Sequence, residues 1–180
     1  IGQQTLMAPL ALARRAGAPT AVRTDGWDGY PAARQRLLDA LTGSRVGNPV
    51  VLGGDLHAFY VADLNAGTRP DAPCVAAEFV CTSITSQAGE QPYYDRQKAA
   101  NPHLRYVNGT QRGYLRLTLG RSGVDVDLMG LDDVRDPASG MARQPRLKAV
   151  QPRPFQRRAG AQQQGQADPE TGTCAAEPHW

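Results

Sequence analysis

Apolar and polar positions change their period several times along this chain, and each change marks an element. Val50-Val51-Leu52 is a β-branched apolar run without alternation, the pattern of a strand that expects cover on both faces. Ahead of it, Leu37, Leu38 and Leu41 fall on one side of a stretch that opens with Pro31 and places Arg34 and Arg36 elsewhere. That spacing predicts an amphipathic helix over Pro31 to Leu41, with proline at a suitable first position and Gly43 as a stop. Thr5 to Leu10 reads as a short apolar strand. Phe59 to Leu64, Cys74 to Val80 and Tyr114 to Leu119 also read as strands, and Val124, Val126 and Leu128 alternate with Asp125 and Asp127 as a half-exposed strand should. Arg121-Ser122-Gly123 signals a hairpin turn, and Pro92 to Ala100 a short helix closed by Asn101-Pro102. A helix that leads into a buried strand is an α/β signature.

Between these elements lie loops with a definite character. Asp25-Gly26-Trp27-Asp28-Gly29-Tyr30 holds two Asp-Gly turn signals and two aromatics in six residues, which describes a structured loop and not a linker. From Arg143 onward Gln, Pro, Arg and Gly dominate and no period survives. The expected organisation is one folded unit over residues 1–142 and a disordered Gln/Pro/Arg-rich tail over 143–180.

Composition narrows the function classes. At 180 residues the chain is long enough for one domain with a real core, or for a large piece of a bigger one. It holds no run of about 18 apolar residues, so no membrane-spanning helix is expected. It begins Ile1-Gly2-Gln3-Gln4 and shows no signal-peptide pattern. The net charge is +3, but residues 1–142 carry 14 basic and 14 acidic side chains against 6 and 3 in 143–180. A neutral body argues against a phosphate-tracking surface, so no nucleic-acid partner is expected. Cys74, Cys81 and Cys174 form no CxxC pair and indicate neither a zinc ribbon nor a disulfide framework. The default for Cys74 and Cys81 is a buried small apolar residue.

The chemistry concentrates after the buried strand. In Gly53-Gly54-Asp55-Leu56-His57 a carboxylate and an imidazole two residues apart leave the strand where α/β folds gather their ligands. In an extended turn they point the same way and offer one oxygen and one nitrogen to metal ions. An Asp capping a turn beside a satisfied His has the same four letters, and the tetrapeptide alone does not choose. Asp25 and Trp27 can line a substrate pocket, though the same loop also makes an ordinary packed turn. Thr82-Ser83-Ile84-Thr85-Ser86 offers hydroxyls to phosphate oxygens, but no GxSxG elbow surrounds Ser83, so a serine nucleophile is not indicated. His103 reads as a structural loop histidine. There is no Walker A sequence and no GxGxxG after a strand, so a Gly-rich nucleotide cradle is unsupported.

Taken together, IGQQ and LMAP at the start, DGWDGYPAARQRLL from Asp25, NPVVLGGDLH from Asn48, EFVCTSITS from Glu78, NPHLRYVNG from Asn101 and RGY from Arg112 resemble, in order and spacing, the C-terminal part of the PhoD-like (alkaline phosphatase D) metallophosphatases. The resemblance implies an α/β fold, the C-terminal portion of a calcineurin-like metallophosphatase β-sandwich flanked by helices. It implies that Asp55 and His57 are ligands of a binuclear metal centre, iron with calcium or other divalent metals. It also implies a phosphate-ester substrate, monoester or diester, and a periplasmic or secreted location; the reading above carries substrate contacts at Asp25, Trp27 and Ser83. Cys81 stands where the family pattern leads us to expect Gly. The remaining ligands would come from an N-terminal half of the same polypeptide, so the chain alone is expected to be inactive, aggregation-prone and left with an open edge at the Val50 strand. A non-catalytic binding module that retains part of the fold is the competing reading.

Overall fold

The computed structural model describes residues 1–12, 21, 23–43, 47–67, 72–121 and 123–150, with side chains up to 142. In chain order the elements are α1 (Pro31–Gly43), β1 (Val50–Gly53), β2 (Phe59–Asn65), β3 (Cys74–Val80), α2 (Gln91–Ala100), β4 (Leu104–Asn108), β5 (Arg112–Gly120), β6 (Gly123–Leu131) and β7 (Met141–Val150). A one-turn 3-10 helix, Trp27–Gly29, precedes α1. The first sheet runs β1-β3-β2-β4 and the second β5-β6-β7. β1 pairs parallel with β3, and every other pairing between these strands is antiparallel.

Strand alternation explains how the layers stack. On one face of the first sheet, Val51, Tyr60, Ala62, Leu64, Ala76 and Val80 form a core with Leu38 of α1, Tyr94 of α2 and the Leu6–Leu10 stretch. On the other face, Phe59, Val61, Ala77, Phe79 and Tyr106 meet Val126 and Leu128 of β6, with Leu115 and Leu117 of β5 packed alongside. The result is two sheets face to face, with both described helices on the outer side of the first. Period 2 sends successive residues to opposite cores, so the inner strands are largely apolar, with Asp63 of β2 and Glu78 of β3 as their buried acids.

Most expected elements appear within one to three residues of their predicted ends. Thr5 to Leu10 is an exception: it is buried, with Met7 fully so, but it belongs to no strand. Its amides Met7 N and Ala8 N go to Glu78, and Leu10 N to Asp28, instead of to a ladder. The chain pairs earlier: Gly2 bridges Leu52 in parallel, with Leu52 N donating to Ile1 O at 2.8 Å, Gln3 N to Leu52 O at 2.9 Å and Gly54 N to Gln4 O at 3.0 Å. The outer edge of β1 is therefore covered, contrary to the expectation of an open edge there.

β4 and β7 are absent from the sequence reading. β4 is only five residues and carries a register shift opposite Val61/Ala62, which breaks its alternation. β7 runs through residue 142, so the folded part does not stop at the expected boundary. Two residues of β7, Gln144 and Pro145, stand opposite Leu128 alone where the register shifts. A bulge is where a strand tolerates proline, and it also hides the period. Residues 151–180, the rest of the expected tail, lie outside the described residues. Cys74 is disulfide-bonded and Cys81, at the other end of β3, is a free thiol. The default reading of Cys74 as a small apolar filler is thereby corrected.

Candidate functional site

Parallel pairing of β1 with β3 brings both carboxyl ends to one rim, with Gly53 opposite Val80. The Gly54–Ala58 turn leaves β1 there, and the Cys81–Glu90 loop leaves β3 beside it. Cys81 N donates to Gly53 O at 2.9 Å and joins the two departures. Gly53 itself has no room for a side chain, since an added Cβ would meet Thr5 O at 2.5 Å and Gln3 Nε2 at 2.8 Å. Gly54 is open by comparison, with Gln4 O no nearer than 3.7 Å. Of the two glycines only Gly53 is closely approached, and what approaches it is the N-terminal stretch.

Asp55 and His57 both occupy the left-handed region, at φ 66° and 56°, and both side chains are exposed. Non-glycine residues enter that region at a cost of about 1–3 kcal/mol, and such strain clusters at functional sites. The intervening Leu56 packs against the first core. His57 Nδ1 lies 3.2 Å from Gln87 O. A carbonyl only accepts, so in the neutral ring Nδ1 carries the proton and Nε2 keeps its lone pair. Thr82 Oγ1 is 3.1 Å from His57 O and 2.9 Å from Gln111 O, tying the β1 turn, the post-β3 loop and the entry to β5 together.

A carboxylate oxygen and an imidazole nitrogen with a fixed tautomer suit a divalent or trivalent metal. Among the described residues, however, no group of three or more His, Cys, Asp or Glu gathers in one place. The pair fits part of a ligand set and needs donors from elsewhere.

The other sequence-selected residues are placed as follows. Asp25 and Trp27 line a small pocket of about 20 Å³ whose wall includes Leu56, so the aromatic loop does abut the Asp55–His57 turn. Asp25 is exposed, whereas Trp27 is half-buried and donates from Nε1 to Gln3 Oε1 at 3.0 Å. Asp28 anchors the loop: it accepts from Leu10 N at 2.9 Å and pairs with Arg34 at 2.5 Å. Ser83 is half-buried on the post-β3 loop and engages Ser86 O. His103 donates from Nε2 to Pro9 O at 2.7 Å, and burial holds its pKa below the ordinary value, as a structural histidine should.

Two residues escaped the sequence reading. Glu78, fully buried in the middle of β3, accepts from Met7 N at 2.7 Å and Ala8 N at 2.8 Å. Burial pushes its pKa up to about 7 against those two hydrogen bonds. A lone acid inside CVAAEFV was the available signal. Arg112, 4% exposed, donates to Ser83 Oγ, Ser86 O and Gly109 O. It opens the RGY motif, but the motif by itself assigned it no role.

Comparison with known proteins identifies the family. A family model described as PhoD-like phosphatase matches residues 1–128. Alkaline phosphatase D of Bacillus subtilis (strain 168) is 34% identical over 122 residues, covering 66% of this chain and 21% of that protein. The solved structure of PhoD superposes with a TM-score of 0.75 at 29% identity, covering 83% of this chain and 29% of the other. The chain thus spans about a fifth of the length of its curated relative. A match over more than half of the chain, supported by both relatives, shows that the chain belongs to the PhoD-like phosphatase family.

Proposed function

We propose that this chain supplies Asp55 and His57 to a binuclear metal centre, iron with calcium or another divalent pair, in an enzyme that hydrolyses phosphate esters. The observation that carries the reading is the pair itself: two chemically suitable donors, both exposed and both held in the left-handed region at the carboxyl end of β1. When bound, such a centre supplies Lewis-acid stabilisation of the charge that develops at phosphorus.

The chain's own residues prepare for that chemistry. Gln87 O holds the His57 imidazole in one tautomer, and Thr82 Oγ1 steadies the backbone beneath it. Asp25 and Trp27 border the same turn and, with Ser83, are the residues we assign to substrate contact. The parent protein is a phosphomonoesterase or phosphodiesterase of the periplasm or the exterior. The short donor list among the described residues supports an inactive chain in isolation, completed by other parts of the polypeptide.

In a polypeptide that extends over the length of the relatives, Asp55→Asn and His57→Ala are each expected to lower turnover of a phosphate monoester or diester by orders of magnitude. Each removes a metal donor and not a mere contact. Near wild-type turnover in both variants would refute the ligand assignment.

A further inference from the structure

Arg112 presents an unusual arrangement for a buried cation. Its guanidinium donates through Nη1 to Ser83 Oγ at 3.2 Å and to Ser86 O, and through Nη2 to Gly109 O. Nε is buried without a partner, and no described carboxylate forms an ion pair with the group. All three acceptors are neutral. A desolvated guanidinium left without a counter-charge is costly, so its retention calls for something the planar fork does that an apolar side chain does not.

What the fork does is join chain segments. Ser83 and Ser86 belong to the post-β3 loop, and Gly109 precedes β5. Gly113 N, next to Arg112, returns a hydrogen bond to Ser83 O at 3.1 Å. The residue directly after the clamped stretch is Gln87, whose carbonyl accepts from His57 Nδ1. On the near side of the same stretch, Thr82 touches His57 O. The loop therefore meets His57 at both of its ends and Arg112 in between.

We propose that Arg112 is a positioning residue for His57: it fixes the Ser83–Ser86 stretch so that Gln87 O holds the Nδ1–H tautomer and keeps Nε2 free to bind a metal. The inference rests on the metal reading of Asp55 and His57. It adds a residue that touches neither metal nor substrate and acts through two loop contacts. Outer partners of this kind change metal affinity by 10–100-fold when removed.

The test uses the 180-residue chain with Arg112→Met, Arg112→Lys, Ser83→Ala and His57→Ala, and Zn²⁺ alone as the probe. Nitrogen-15 shifts of the His57 ring report its tautomer without metal, calorimetry reports Zn²⁺ affinity, and amide exchange reports the 82–90 loop. Arg112→Met is expected to release the ring to a tautomer mixture, speed loop exchange and weaken Zn²⁺ by at least tenfold, with Arg112→Lys between it and the parent. Should Arg112→Met not fold, Ser83→Ala carries the test, with a smaller shift in the same direction. An unchanged tautomer and affinity in these variants, while His57→Ala abolishes uptake, would overturn the positioning role and leave the metal reading standing. Undiminished uptake in His57→Ala would overturn both.

Discussion

Glu78 shows how one side chain ties stability to pH. Burial raises its pKa from 4.5 to about 7, above its unfolded value. The stability associated with that shift is fully present below pH 4.5 and is lost as pH rises through 7, a change of about 3 kcal/mol. Arg34 favours the charged form and Gln3 Nε2 lies 3.3 Å away, but neither offsets the loss of water. His103 works in the opposite sense: its depressed pKa contributes stability above its unfolded value and loses it as pH falls. Replacing Glu78 by Gln should flatten the urea-midpoint profile between pH 4.5 and 7. An unaltered slope would show that another group titrates there. At this scale the sequence revealed Asp55 and His57, because a donor pair at the end of a buried run is a local pattern. It did not reveal their left-handed backbone, which the surrounding contacts impose, nor Arg112, whose partners lie 3 to 29 residues away.

Among elements, legibility followed the regularity of alternation. β2 and β3 read clearly because each supplies both cores in strict turn. β4 and β7 did not, because a register shift interrupts each ladder. The Leu6–Leu10 stretch misled for a different reason: burial makes it apolar, yet side chains satisfy its amides. Its neighbour Thr5 and the side chain of Gln3 crowd Gly53, which yields a paired prediction. Gly53→Ala should lower thermal stability by about 1–3 kcal/mol, because the nearer obstacle is backbone that cannot swing aside. Gly54→Ala meets nothing nearer than 3.7 Å and should stay within about 0.5 kcal/mol of the parent. Equal effects of the two changes would mean that the N-terminal stretch does not lie against β1.

For the molecule as a whole, the two-sheet sandwich and the family were legible because separated motifs kept their order. The covered β1 edge was not, because the covering residues lie about fifty positions earlier in the chain and carry no strand pattern of their own. That placement also sets an order of events. The stretch from Ile1 to Ala11 is made before partners that include Val50 to Gly54, Glu78 and Asn101, the last exchanging two hydrogen bonds of 2.9 Å with Ala11. Contacts so distant in sequence close late, after loop entropy has been overcome. On a ribosome, this segment would wait for about a hundred residues of synthesis before its last partner emerged. Asn101→Ala should therefore speed unfolding while leaving the refolding rate nearly unchanged, the signature of a contact absent from the transition state. A slowed refolding limb in stopped-flow would instead place the N-terminal stretch in the nucleus. A segment synthesised well before its partners thus acts as the closing latch of this part of the fold.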